Sequence, residues 1–141
     1  MIKYNDLTES WIKYENNPVI GNNQTGNVFD PFVFKHENIF KMYVSWRTKG
    51  VIALSTSQDG INWSDLNIVL NKGNTSCWES IVNRASIINY NKKFYLWYTG
   101  QNHKKSKIGL AISDDGYNFV KYENNPVLIP QYDEQKTLKL N

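Results

Sequence analysis

The sequence predicts an all-β protein made of four-stranded antiparallel sheets, arranged as β-propeller blades. Three observations carry this. The chain repeats itself with a period of about 54 residues. Each period holds four short runs rich in aromatic and β-branched residues, separated by clusters of Asn, Asp and Gly. No stretch shows a helical spacing of apolar residues. Four strands in a repeat near this length is the arithmetic of a propeller blade.

The repeat is visible letter by letter. Phe40-Lys41-Met42-Tyr43-Val44-Ser45-Trp46 returns as Phe94-Tyr95-Leu96-Trp97-Tyr98-Thr99-Gly100, 54 residues later. Ile52 through Trp63 returns as Ile108 through Phe119, at an offset of 56. The difference falls in the loop His103-Lys104-Lys105, where insertions cost least. A third echo joins Trp11-Ile12-Lys13-Tyr14-Glu15-Asn16-Asn17-Pro18-Val19 to Phe119-Val120-Lys121-Tyr122-Glu123-Asn124-Asn125-Pro126-Val127. A shorter version runs from Trp63 to Leu70.

These repeats divide the chain into an N-terminal segment (1–27) carrying an outer-strand-like repeat, blade one (28–70), blade two (71–128) and a polar tail (129–141). In blade one the strands are Val28–Phe34, Ile39–Trp46, Val51–Ser57, and Ile61–Trp63 with the extended tail after it. Turns fall at His36-Glu37-Asn38, Thr48-Lys49-Gly50 and Gln58-Asp59-Gly60. In blade two they are Ile81–Asn89, Lys93–Gly100, Lys107–Ser113 and Tyr117–Tyr122. Ala85-Ser86-Ile87-Ile88 and Ile108-Gly109-Leu110-Ala111 suit inner strands, being small and apolar.

Within blade one, Asn27-Val28-Phe29-Asp30-Pro31-Phe32-Val33-Phe34 is an apolar run with a single acid. Pro31 removes a ladder donor directly after Asp30, as happens at a strand start or a bulge. Asp30 therefore reads either as a residue aimed from a strand mouth or as a turn Asp bonding its own backbone.

Composition sets limits. The chain has 141 residues, 40% hydrophobic, enough for one domain or part of one. Aromatics make up 14%, with five Trp and nine Tyr, which favours β structure or a stacking surface. A net charge of +3, with Lys and Arg scattered, argues against nucleic acid as a partner. Cys77 stands alone, so no intrachain disulfide forms. The first residues lack an apolar leader core, and no run approaches membrane-spanning length. The expectation is a cytoplasmic protein with no membrane partner. His36 and His103 lack metal-ligand spacing and read as surface residues, and no metal site or cofactor is expected.

The Phe29-Asp30-Pro31 opening, Trp97-Tyr98-Thr99-Gly100, the Ser-x-Asp-Gly-x-Asn-Trp/Phe turns and the Asn-Pro-Val tails together carry a resemblance. The chain resembles the five-bladed propellers of the arabinanase, levansucrase and invertase superfamily, which includes glycoside hydrolase families 43, 32 and 68 and the family 130 phosphorylases. The resemblance covers nearly the whole chain. It implies carbohydrate processing, with an oligosaccharide or glycoside as partner and no cofactor. It also implies a role for Asp30 as general base or nucleophile at the head of the innermost strand.

Cleaving a glycosidic bond needs a second carboxyl group across the scissile bond. Here the chain departs from the family pattern, because alignment of Phe40 with Phe94 puts Arg84 in the place of Asp30. The nearest acid of blade two is Glu79, in Cys77-Trp78-Glu79-Ser80. It reads either as a second catalytic carboxylate, with Trp78 stacking on a sugar, or as a loop acid paired with a base such as Arg84. Arg84 in turn would hold Asp30 ionised, bind a substrate carboxylate or phosphate, or bridge the blades. Trp46, Trp63, Trp97 and Tyr98 read chiefly as packing, with Trp46 and Trp78 the candidate substrate-contacting rings.

A closed five-bladed propeller of this period needs about 270 residues. Two blades alone leave apolar flanks open. The chain is therefore expected either to assemble with copies of itself, or to be part of a longer protein or a shortened gene product. A non-catalytic carbohydrate-binding or assembly module is the alternative to an enzyme.

Overall fold

The computed structural model describes residues 11–102 and 105–130. The readings for residues 1–10, for His103 and for most of the 129–141 tail lie outside the described residues. Two four-stranded antiparallel sheets make up the fold. The first, blade one, holds β1 (Val28–His36), β2 (Ile39–Trp46), β3 (Val51–Ser57) and β4 (Asn67–Leu70) in that order. The second, blade two, holds β5 (Ile81–Tyr90), β6 (Lys93–Gln101), β7 (Ser106–Ser113) and β8 (Val120–Lys121), again in chain order.

Tight turns join the first two strands of each blade at matching positions. Glu37 and Asn38 have φ of 48° and 65°, and Asn91 and Lys92 have 49° and 60°. Two consecutive left-handed residues are the signature of a hairpin turn whose twist suits the flanking strands.

The fourth strands differ from expectation. Ile61–Trp63 and Tyr117–Asn118 are not strand; pairing resumes only at Asn67 and at Val120. The Ser-x-Asp-Gly turns explain the delay. Asp59 Oδ1 accepts the N–H groups of Ile61 and Asn62, both at 2.8 Å, and its Oδ2 accepts the Asn62 side-chain amide at 2.7 Å. Asp115 does the same for Tyr117 and Asn118 at 2.7 and 2.8 Å. Amides captured this way cannot join a ladder. These hydrogen bonds hold both carboxyls well below the usual carboxylate range.

Side-chain alternation sorts each strand into two faces. Tyr43, Leu54 and Ile52 of blade one bury against Val82, Ile87, Leu96 and Ala111 of blade two. Polar groups finish this seam. Tyr43 donates its hydroxyl to the Gly116 carbonyl at 2.7 Å, and Lys41 donates to the Asp115 carbonyl at 2.9 Å. The Lys41 ammonium also lies over the Tyr117 ring, 4.1 Å from its centroid. Burial lowers the Lys41 pKa, against the pull of Asp115 and Glu37. His36, expected at the surface, sets its ring edge-on to Phe94 across the same seam, 5.1 Å between centroids. A second cluster, Met42, Val44, Trp46, Val51 and Ala53, lies on the other face of blade one, against Ile20, Val28, Trp63 and Leu66.

Candidate functional site

Both inner strands bulge at the same place. The β1–β2 register shifts between Phe29 and Phe32, and the β5–β6 register shifts between Asn83 and Ser86. Each bulge carries a left-handed residue: Asp30 with φ 51° and Arg84 with φ 54°. Non-glycine residues hold this conformation only where their surroundings impose it. Pro31 offers no N–H, so nothing is lost from the ladder there.

Ser45, on β2, imposes much of it. This residue is buried, and its hydroxyl donates to Asp30 Oδ2 at 3.3 Å while accepting the Arg84 backbone N–H at 2.8 Å. Arg84 Nε then lies 3.7 Å from Asp30 Oδ2. The carboxylate side chain is 35% exposed and the guanidinium side chain 59%, so the pair stays open to a ligand. At such exposure the ion pair itself contributes only about 0–1 kcal/mol. Of the readings weighed for Arg84, the geometry supplies the bridge between blades.

Beside this pair, between the blades, is a cavity of about 350 Å³. Phe29, Ser45, Trp46, Asn83 and Gln101 are among its lining residues. Asn83 is 4% exposed, and its amide donates to Gln101 Oε1 at 2.6 Å.

Glu79 bonds to residues other than those that hold Asp30. Its Oε2 accepts the Tyr98 hydroxyl at 2.6 Å, and its Oε1 lies 2.7 Å from Lys121 Nζ. The pairing with Arg84 is therefore corrected to a pairing with Lys121. With its side chain only 14% exposed and both oxygens engaged, Glu79 ties the loop to β6 and β8. Burial, then the Glu79 contact, pushes the Tyr98 hydroxyl pKa far up.

Trp46 is buried, donates its indole N–H to the Thr25 carbonyl at 2.7 Å, and carries the Lys49 ammonium 3.8 Å from its ring centroid. It forms part of the cavity wall and of the second core cluster. Trp78 stacks on Tyr98, with centroids 6.1 Å apart, and packs against the main core. Gly100 makes room for it, since a Cβ there would run into the indole. Trp78 keeps partial exposure, so one edge of it remains accessible.

Three contributors were not legible as site residues: Ser45, Asn83 and Gln101. Ser45 left a weak signal, since its counterpart Thr99 keeps a hydroxyl at the same place in the repeat. Chemically, the site offers one partly exposed carboxylate, a guanidinium beside it, and an adjoining polar cavity. No group of three or more His, Cys, Asp or Glu suited to a metal occurs among the described residues.

Comparison with solved structures defines the class: these are blades of the propeller seen in glycoside hydrolases. An endo-1,4-β-xylanase from Bacteroides thetaiotaomicron superposes with a TM-score of 0.65 at 23% identity, over 74% of this chain and 39% of that one. A thermostable family-43 glycoside hydrolase gives 0.57 at 25%, over 74% and 35%. The α-L-arabinanase of Cellvibrio cellulosa gives 0.57 at 17%, over 77% and 37%. The chain thus spans little more than a third of each.

The chain belongs to the glycosyl hydrolases family 32 N-terminal domain family, which it matches over residues 1–83 and again over 53–139. Two overlapping matches, displaced by about one period, are what the internal repeat produces. A search of curated proteins found no match.

Proposed function

We propose that the chain supplies the Asp30 half of a site that hydrolyses glycosidic bonds in an oligosaccharide or glycoside. Asp30 acts there as base or nucleophile, and the second carboxyl group comes from outside these two blades. The observation that carries this reading is the placement of Asp30: a left-handed bulge residue, fixed by Ser45 and faced by Arg84, with its carboxylate still reachable. Family membership supports the chemistry. Cleavage requires two carboxyl groups about the bond, and Glu79 is engaged elsewhere.

The missing group is assigned to a neighbouring copy of the chain or to further blades of a longer protein. The open flank of blade two supports such a neighbour. Tyr95, Trp97 and Leu110 hold the repeat positions of Lys41, Tyr43 and Leu54, which blade two covers in blade one. On the N-terminal side Trp11 and Ile12, counterparts of Phe119 and Val120, are 92% and 95% exposed.

The alternative is a non-catalytic carbohydrate-binding or assembly module, favoured by the engagement of Glu79. Assays with aryl glycosides and oligosaccharides, with and without phosphate, separate the two. Turnover that vanishes in Asp30→Asn supports the enzyme, and phosphate-dependent turnover would move it to the phosphorylases. Binding without turnover, lost in Trp78→Ala, supports the module.

A further inference from the structure

We propose that residues 11–20 form an exchangeable outer strand, which docks on β7 in blade two of a second copy of the chain. This rests on the neighbouring-copy half of the reading above, and not on hydrolysis. Trp11 through Ile20 nearly repeats Phe119 through Leu128, the segment that carries β8 and already lies on β7 of its own chain. The contacts of that resident segment show what an arriving one finds.

The resident is held through residues that both segments share. Asn125 Oδ1 accepts the Leu110 N–H at 2.8 Å, and its amide nitrogen donates to the Leu110 carbonyl, also at 2.8 Å. The Tyr122 N–H reaches that carbonyl at 2.9 Å, and the Val127 N–H reaches the Ile108 carbonyl at 2.8 Å. Lys121 Nζ lies 2.7 Å from Glu79 Oε1. Asn17, Tyr14, Val19 and Lys13 stand at these positions in the N-terminal segment. Phe119 is replaced by Trp11, but Trp63, at the same point of blade one, shows that the position takes an indole. The resident on β3, Trp63 to Leu70, lacks the Asn-Asn-Pro turn, so blade two is the matching site.

The N-terminal segment is already shaped for docking. The Asn17 N–H donates to the Tyr14 carbonyl at 3.4 Å, and the Asn16 amide to the Tyr14 hydroxyl at 3.2 Å. Asn125 and Asn124 make the same bonds to Tyr122, both at 3.2 Å. A preformed turn lowers the ordering cost of binding. Yet no strand runs through residues 11–20, and Trp11 and Ile12 are 92% and 95% exposed. The Asn17 amide, with no sheet to join, folds back on the Tyr14 carbonyl at 2.7 Å. Ile20 packs on the second cluster, on the face of blade one turned away from its own blade two. The segment therefore faces a neighbour. Bonds broken by the leaving segment are remade by the arriving one, so the exchange is nearly balanced and small changes tip it.

The test is light scattering on a sizing column, over a concentration series, for the full chain and its variants. The parent chain is expected to assemble reversibly. Asn17→Ala should weaken assembly about tenfold, as the loss of hydrogen bonds by the arriving segment predicts. Asn125→Ala should strengthen it by about as much, because it loosens the resident and vacates β7. The double variant should return close to the parent. Blades that merely met face to face would not respond with opposite signs. Melting curves establish folding, and if Asn125→Ala does not fold, Asn17→Ala, altered in an exposed segment, decides alone. A chain that stays single, assembly indifferent to Asn17→Ala, or assembly weakened in folded Asn125→Ala would overturn the proposal. Assembly with the expected shifts but without turnover leaves the exchange standing while the hydrolytic reading falls. Turnover in an assembly that ignores Asn17→Ala does the reverse.

Discussion

Asp30 and Arg84 occupy the same bulge in successive repeats, and they meet across the seam with Nε 3.7 Å from Oδ2. A repeat normally places equivalent residues apart, one per blade. Here the left-handed bulges turn both inner strands so that an acid and a base at equivalent positions face one another. The buried Ser45 hydroxyl joins them, using its proton for the carboxylate and a lone pair for the Arg84 amide.

Removing that hydroxyl leaves the Arg84 N–H without its acceptor. Ser45→Ala is predicted to lower the unfolding free energy by about 1–3 kcal/mol, measured by denaturant titration. Ser45→Thr, which keeps the hydroxyl and matches Thr99 of the second repeat, should recover part of the loss.

Acid sensitivity should trace to the two Ser-x-Asp-Gly turns. The folded-state pKa values of Asp59 and Asp115 lie below the unfolded value near 3.9. Each group therefore contributes stability above about pH 4, and that contribution is lost as pH falls through the folded pKa. In Asp115→Asn the stability at neutral pH should fall and its decline below pH 4 should flatten. Thermal melts across pH 2–7 follow both effects.

A side chain at Gly100 is predicted to clash with the Trp78 indole and the Glu79 Cβ. Gly100→Ala should cost about 1–3 kcal/mol through overpacking. In Trp78→Ala the same change should cost less, with a remainder from the Glu79 Cβ 2.8 Å from the added methyl, so a double-mutant cycle reads the indole's share.

Glu79 separates structure from chemistry. Glu79→Gln weakens the contacts to Lys121 and Tyr98 and should cost about 1.5–3 kcal/mol of stability. Any turnover by the folded variant should persist. Loss of turnover at unchanged stability would return Glu79 to the catalytic group.

Much of this was legible in the sequence because repeats report architecture directly. The hairpins, the blade count and the Asp30–Arg84 equivalence follow from aligning Phe40 with Phe94. The fourth strands were misplaced because Asp59 and Asp115 capture amides that a strand pattern would claim. Glu79 was matched with the wrong base because Lys121 lies 42 residues away and is brought in only when β8 pairs with β7. Asn83 and Gln101 gave no signal, since an unpaired amide oxygen exists only once two sheets have closed around it.

The most direct test of Asp30 as the chemical residue is aryl-glycoside hydrolysis measured across a sizing column with light scattering, for the wild type and for Asp30→Asn. The prediction is turnover only in fractions heavier than one chain, with loss of that turnover in Asp30→Asn at unchanged mass. Turnover by the single chain, turnover that survives the substitution, or closed assemblies with none would contradict it.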